Sequence, residues 1–243
     1  MHKRKRVVLL VLVSLSLCAA EDDFVTDTVK TSEHDLLMTF IGHGTLMFQY
    51  GGRVIHIDPV RRYADYSKLP KADIILITHA HGDHLDPGLV EKLLKSSSDI
   101  LMSRSCQNKL NKGTVLQNGD EATVQGIHVS AVPAYNIKHK RDTGEPYHPR
   151  GDGNGYVLTF ADKKVYIAGD TENIPELKSM ENISIAFLPM NLPYTMSPEM
   201  VADAVNLFKP DILYPYHYGN TDVNKVVELL KESDTKVRIR DLQ

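Results

Sequence analysis

The sequence predicts an α/β protein built in layers, and three observations carry that prediction. Short β-type runs come first along the chain. Strand-like and helix-like segments then alternate, the order expected when helices cover a mixed sheet. Residues 73–78, DIILIT, are almost continuously apolar, as in a buried strand. The chain has 243 residues, enough for one or two domains at roughly 150 residues each. Its hydrophobic fraction of 42% and charged fraction of 24% are those of an ordinary globular protein. That length buries a sizeable core without disulfide staples.

The N-terminal segment belongs to a different class. His2, Lys3, Arg4, Lys5 and Arg6 make a basic start, and an apolar run with two serines follows from Val7 to Leu17. A spanning helix needs about 20 apolar residues, so this run is too short to cross a bilayer comfortably. A basic flank, a short apolar core and small residues ending at Ala20 predict a secretory signal peptide over residues 1–20. The protein is then exported, periplasmic or secreted. Cys18 offers the alternative of a lipid anchor, against which the bulky Leu17 weighs. Removal of residues 1–20 leaves 24 basic and 31 acidic residues, a net charge of −7. Such a surface repels phosphate backbones, which weighs against nucleic acid as a partner. Cys106 is then the only cysteine, so no intramolecular disulfide forms.

Residues 21–34 are acidic and polar and read as a leader before one domain over residues 35–243. Leu36–Ile41, Thr45–Tyr50 and Arg53–Asp58 are β-type runs, with Gly51 and Gly52 as a hairpin turn. After the buried strand, Pro87–Lys95 has helical spacing, with Leu89, Leu93 and Leu94 on one face and Pro87 in its first turn. Thr123–Val132 alternates as a strand does. Asn136–Asn154 is a polar loop, and a connection of that length in a compact domain is usually functional or disordered. Gly155–Phe160 and Lys164–Ala168 read as a hairpin, and Ile183–Leu188 as another strand. Ser197 and Pro198 predict the N-cap and first residue of a helix through Phe208. Asp211–Tyr214 is a short strand and Thr221–Lys231 a last helix.

The chemistry concentrates in His79-Ala80-His81-Gly82-Asp83-His84, directly after the buried strand. Three imidazoles and a carboxylate at this density, on a glycine-containing loop at a strand end, are the donors that borderline divalent metals prefer. A solvated polar loop is the bland alternative, and three histidines so close together argue against it.

This His-x-His-x-Asp-His pattern resembles the signature of the metallo-β-lactamase superfamily. Asp58 in Ile55-His56-Ile57-Asp58-Pro59 resembles the family's early aspartate. Gly169-Asp170-Thr171 resembles the motif of its bridging aspartate, and Tyr216-His217-Tyr218-Gly219 its last histidine. The likeness runs from about Thr39 to Gly219. It implies a four-layer αββα sandwich and two metal ions. The first ion would take His79, His81 and a third histidine, and the second Asp83, His84 and His217, with Asp170 bridging both. His148 and His139 are both available as the third histidine. His148 is preferred, because histidine-proline ahead of a glycine-rich stretch resembles relatives with this long loop.

The departures narrow what the resemblance implies. Zinc β-lactamases of the commonest kind carry a cysteine ligand that has no counterpart here, so antibiotic hydrolysis is disfavoured. The flavodiiron and nucleic-acid-processing branches carry further domains that this length does not hold. The small stand-alone hydrolases remain, similar to ascorbate-phosphate lactonase and N-acyl phosphatidylethanolamine phospholipase D. The expectation is therefore an exported hydrolase of a small ester, lactone or phosphodiester. It would use a hydroxide held between two zinc ions, with Asp83 or Asp170 orienting it or carrying its proton. Manganese or iron are alternatives to zinc. The rival reading is a non-catalytic metal- or ligand-binding protein that keeps the fold.

Several further residues have two readings. Asp58 either orients a ligand histidine or simply turns the chain before Pro59. His43 reads as a structural histidine, with a place near the metals as the alternative. Tyr194 and Tyr218 read as pocket wall, with oxyanion donors as the alternative. His34, His56 and His128 lie in no site motif and read as structural.

Overall fold

A computed structural model describes residues 24–242. The signal peptide expected over residues 1–20, Cys18 within it, and residues 21–23 lie outside the described residues.

Alternating apolar residues dictate a sheet with two cores. The first sheet runs in chain order: β1 (Thr26–Val29), β2 (Leu36–Gly42), β3 (Thr45–Tyr50), β4 (Arg53–Ile57), β5 (Ala72–Ile77), β6 (Leu94–Met102) and β7 (Thr114–Val115). Along β3, Leu46, Phe48 and Tyr50 enter the main core while Met47 enters a second one. Along β5, Ile74 and Leu76 enter the main core while Ile75 and Ile77 enter the second. Side chains on successive strand residues point to opposite faces, so this sheet is apolar on both. Helix α1 (Pro87–Leu93) covers the second face with Leu89, Val90 and Leu93.

The second sheet is β8 (Glu121–Val124), β9 (Ile127–Ala134), β10 (Gly153–Phe160), β11 (Lys163–Ile167), β12 (Ile185–Pro189), β13 (Ile212–Tyr216) and β14 (Lys236–Val237), again in chain order. Its inner face meets the first sheet through Phe187, whose ring lies 5.9 Å from Phe48, and through Tyr214, 5.2 Å from Phe40. Its outer face takes helix α2 (Pro198–Phe208), where Phe208 packs edge-on against Tyr166 at 5.8 Å. Helix α3 (Asn224–Leu229) lies beside α2. Two mixed sheets face to face with helices outside make the four-layer αββα sandwich. Among the described residues, no helix is long and apolar enough to cross a membrane.

The structure revises several boundaries. The leader contains β1, an edge strand paired with β2. Its Asp27 forms ion pairs with Arg238 and Arg240 and accepts from the Tyr214 hydroxyl, which fastens the two ends of the described chain together. The single strand expected over Thr123–Val132 is a hairpin, because Gln125 (φ 51°) and Gly126 (φ 84°) both turn left-handed. The helix from Pro87 stops at Leu93, and Leu94 opens β6, which was not expected. Ser96, Ser97 and Ser98 fall in an irregular stretch between the Ala72–Leu94 and Ile74–Asp99 pairs, where Ser98 Oγ donates to Ala72 O at 2.6 Å. The last helix covers Asn224–Leu229, shorter than Thr221–Lys231. In contrast, Ser197 caps α2 by accepting from Met200 N, with Pro198 in the first turn.

Strands β4 and β5 run parallel, as do β11, β12 and β13. The loops after β4, β5, β11 and β13 carry Asp58, His79–His84, Asp170 and His217. All four thus follow the carboxyl ends of parallel strands, the usual place for a ligand crevice in open α/β sheets.

Candidate metal centre

The loop after β5 is fastened at both ends. Thr78 donates from its backbone N and its Oγ1 to the Asp58 carboxylate, at 2.7 and 2.6 Å. The chain then folds on itself, with His84 N and Leu85 N donating to His81 O. Asp86 caps α1 by accepting from Leu89 N. His79, His81, Asp83 and His84 thereby face inward from one short turn.

Two further donors and one supporting carboxylate stand on strained backbone. His43, Asp58 and His217 have φ of 55°, 45° and 50°, a left-handed conformation uncommon for residues other than glycine. Such strain persists where the surroundings over-determine it, and it clusters at functional sites. Gly169, at φ 63°, precedes Asp170, and a Cβ there would lie 2.7 Å from Asn154 O. Gly44 is required for space: a Cβ would lie 2.7 Å from His84 Cε1.

These residues form two clusters. The first is His79, His81, His148 and Asp170, and the second is His43, Asp83, His84 and His217, with the donor atoms of each within 4.8 Å of one another. In the first, His81 Nδ1 lies 3.1 Å from His79 Nε2 and 3.2 Å from His148 Nε2. Donors on a tetrahedral zinc with bonds of roughly 2.0–2.1 Å sit about 3.3 Å apart, so the three imidazoles have the spacing of ligands. Asp170 faces both clusters. Its Oδ2 lies 3.1 Å from His148 Nε2, and its Oδ1 lies 3.4 Å from His84 Nε2 and 3.5 Å from His217 Nε2.

The second cluster gives the sharper test of fit. His84 Nε2, His217 Nε2 and Asp170 Oδ1 are buried without a hydrogen-bond partner among the described residues. A buried polar atom left unpaired costs roughly 1–3 kcal/mol, and three aimed at one point suit a cation that all three can ligate. The donor set of imidazole and carboxylate fits zinc.

The shifts of Asp170, Asp83, His79 and His81 favour their metal-binding forms, and that of His84 runs the other way. Burial raises the Asp170 carboxyl, but His217 and His84 more than offset it and hold it well below the usual range. Burial likewise opposes ionisation of Asp83, and the neighbouring imidazoles of His217 and His43 overcome it. Burial, then the charge of His84, drives His79 well below the usual histidine value, and burial, then His148, lowers His81. Burial also disfavours charge on His84, but Asp170 and Asp58 outweigh it and raise that histidine.

Two buried carboxylates support the donors from behind. Asp58 Oδ2 lies 2.7 Å from His84 Nδ1, which aims Nε2 at Asp170. On the other side, His148 directs both its backbone N and its Nδ1 at Asn136 Oδ1, at 2.9 and 2.7 Å. Asn136 Nδ2 donates to Glu172 Oε1, and Glu172 also accepts from the backbone N of Ile137, Lys138 and His139 at 2.7–2.8 Å. Glu172 thus anchors the start of the long loop, and Asn136 passes that anchor to His148.

The remaining candidates separate cleanly. His139 is in neither cluster, and its Nδ1 lies 2.7 Å from Glu172 Oε1. His43, read from the sequence as structural, stands in the second cluster with Nε2 3.4 Å from Asp83 Oδ2. Tyr218 turns away, its hydroxyl donating to Arg240 O at 2.8 Å. Tyr194 is exposed at the mouth of the cleft. His34 packs on Tyr50, His56 bonds Pro70 O, and His128 lies beside Glu121, all outside both clusters. Sequence reasoning passed over Gly44, Asn136 and Glu172. The one available signal was the carboxylate two residues after Asp170.

Comparison with known proteins agrees with this architecture. Residues 37–217 match the family model of the Beta-lactamase superfamily domain, and the chain belongs to that superfamily. It is 33% identical over 193 residues to a UPF0173 metal-dependent hydrolase of Thermococcus onnurineus, covering 74% of this chain and 83% of that one. It is 30% identical over 200 residues to a counterpart from Methanopyrus kandleri, covering 75% and 84%. A crystal structure of a Parabacteroides distasonis protein, proposed to be a metal-dependent hydrolase, is 52% identical with a TM-score of 0.87. That match covers 90% of this chain and 100% of the other. The fold is also shared with a metallo hydrolase from Ignicoccus hospitalis at 24% identity and a TM-score of 0.71, covering 85% of this chain and 95% of the other. The chain is a metal-dependent hydrolase of the metallo-β-lactamase superfamily.

Proposed function

We propose that the protein is an exported hydrolase with a binuclear zinc site that cleaves a small ester, lactone or phosphodiester. The observation that carries the reading is the placement of Asp170, one carboxylate oxygen toward each cluster, with Oδ1 and two imidazole nitrogens unpaired beside it. His79, His81 and His148 would hold one ion, Asp83, His84 and His217 the other, and Asp170 both. Manganese or iron suit the same donors.

Bound cations would supply Lewis acidity and bring the pKa of a water to near neutrality. The chain's own residues do the rest. Asp170 and the histidines fix the reacting centre on the floor of a cleft of about 460 Å³, a volume suited to a small molecule. Asp83, half-buried and lining that cleft, or Asp170 would orient the water or carry its proton. The water oxygen adds to carbonyl carbon or phosphorus, the bond to the leaving oxygen breaks, and that oxygen receives the proton. Export rests on the basic and apolar N-terminal segment.

The test is turnover of a chromogenic phosphodiester and of a simple lactone by zinc-loaded protein, each with a chelator control. Chelator-sensitive hydrolysis of either supports the reading, and the faster substrate distinguishes phosphoryl from acyl chemistry. Turnover that survives full metal removal contradicts it.

A further inference from the structure

We infer that the cleft takes a substrate carrying a carboxylate or phosphate group away from the bond that is cut, and that Arg141 holds that group. The cleft is lined by the buried Asp170, by the half-buried Asp83, Tyr147 and Asn191, and by the exposed Arg141 and Tyr194. Arg141 is the only lysine or arginine among the residues lining this cleft, in a chain with an acidic excess. Its guanidinium faces the Tyr147 ring at 5.0 Å and donates to Tyr147 O at 3.3 Å. It makes no ion pair among the described residues, unlike Arg61 with Asp86 or Arg150 with Glu176. A charged fork left without a carboxylate beside a reaction centre is suited to bidentate recognition of an anion.

The loop geometry holds this residue in place. Arg141 N donates to Glu145 O and Gly144 N to Arg141 O, and Lys140 bridges Pro146, so residues 140–146 form a small hairpin. Glu172 fastens the chain just before that hairpin through Ile137, Lys138 and His139, and Asn136 fastens His148 just after it. The same loop therefore presents His148 to the first cluster and Arg141 to the mouth. Tyr147 and Tyr194 meet edge-on at 5.1 Å, and both line the cleft. A substrate held at both ends loses freedom before it reacts, which is where binding energy helps catalysis.

The inference rests on the hydrolytic reading above for treating the anion as part of a substrate. The test compares mono-4-nitrophenyl glutarate, its analogue with a phosphonate in place of the carboxylate, and the neutral 4-nitrophenyl valerate, on zinc-loaded protein. Wild type is expected to favour at least one anionic ester by about tenfold or more in kcat/KM, mainly through KM. Whichever anion gains more identifies the group the site takes. Arg141→Gln is expected to collapse the ratio of anionic to neutral ester, and Arg141→Lys to keep part of it. Equal treatment of all three esters by wild type, or a preference that survives in Arg141→Gln, would overturn the inference. Calorimetric binding of glutarate and methylphosphonate, measured in parallel, separates the two readings. If no ester turns over but either anion binds about tenfold more weakly to Arg141→Gln, the anion site stands and ester hydrolysis is the part that fails. Equal binding of both anions to wild type and variant overturns the site itself.

Discussion

Asp58 and His84 meet at 2.7 Å with both side chains completely buried, so the imidazole reaches the metal cluster in one orientation only. Partners of this kind set tautomer and ring direction, and their loss typically costs 10–100-fold in metal affinity or activity. Asp58→Asn keeps the shape and removes the charge that His84 leans on. Zinc affinity, measured by chelator competition, is expected to fall by about tenfold or more. An unchanged affinity would reduce Asp58 to a turn residue.

Glu172 makes an equivalent claim about the other cluster. Burial opposes its ionisation, and hydrogen bonds from Lys138 and His139 overcome it and hold its carboxyl below the usual range. Glu172→Gln replaces an acceptor of several N–H groups by an amide that also donates. The variant is expected to bind metal about tenfold more weakly, as for other outer partners, and to be cut faster by protease within residues 136–152. Faster cleavage without weaker metal binding would mean that the loop position does not reach His148.

Gly44→Ala tests steric control of the second cluster. The added methyl meets His84 Cε1 at 2.7 Å and Nδ1 at 3.1 Å, and that histidine is pinned by Asp58. The expected cost is about 1–3 kcal/mol of stability, with a fall in metal content at this cluster. Denaturant midpoints and elemental analysis read the two effects, and a normal metal content would show that His84 is free to shift.

His56 predicts part of the pH dependence of stability. Burial lowers it from 6.5 to about 4, while its Nε2 donates to Pro70 O. Below pH 6.5 the unfolded chain takes up a proton that the folded one refuses until about pH 4. Stability from this group is therefore complete above pH 6.5 and is lost as pH falls toward 4, by up to about 3 kcal/mol. Denaturant unfolding of wild type and His56→Gln from pH 7 to pH 4 should show a shallower acid loss in the variant. Parallel curves would contradict the assignment.

Much of this was legible in the sequence because it is local. The motif His79–His84 places four donors on one turn, and the apolar residues 73–78 announce the buried strand beneath them. The positions of Asp58, Asp170 and His217 came through the resemblance of their motifs. What stayed hidden depends on contacts distant in sequence. His43 joins the second cluster because His217 N donates to its carbonyl and their rings lie 3.7 Å apart. Asn136 and Glu172 are 36 positions apart, and only the pairing of β9 with β10, and β10 with β11, brings them together. Strand β6 opens through a serine run that lies in a break of the pairing with β5, and regular pairing resumes only at Asp99, a contact that local propensity does not announce.

The central claim is that one carboxylate, Asp170, serves both clusters. Native mass spectrometry of zinc-loaded wild type and Asp170→Asn tests it most directly, because it counts ions per folded chain without needing a substrate. Two ions on wild type and one or none on the variant is the expected result. Two ions held equally well by both would contradict the shared carboxylate, and with it the reading of the site as binuclear.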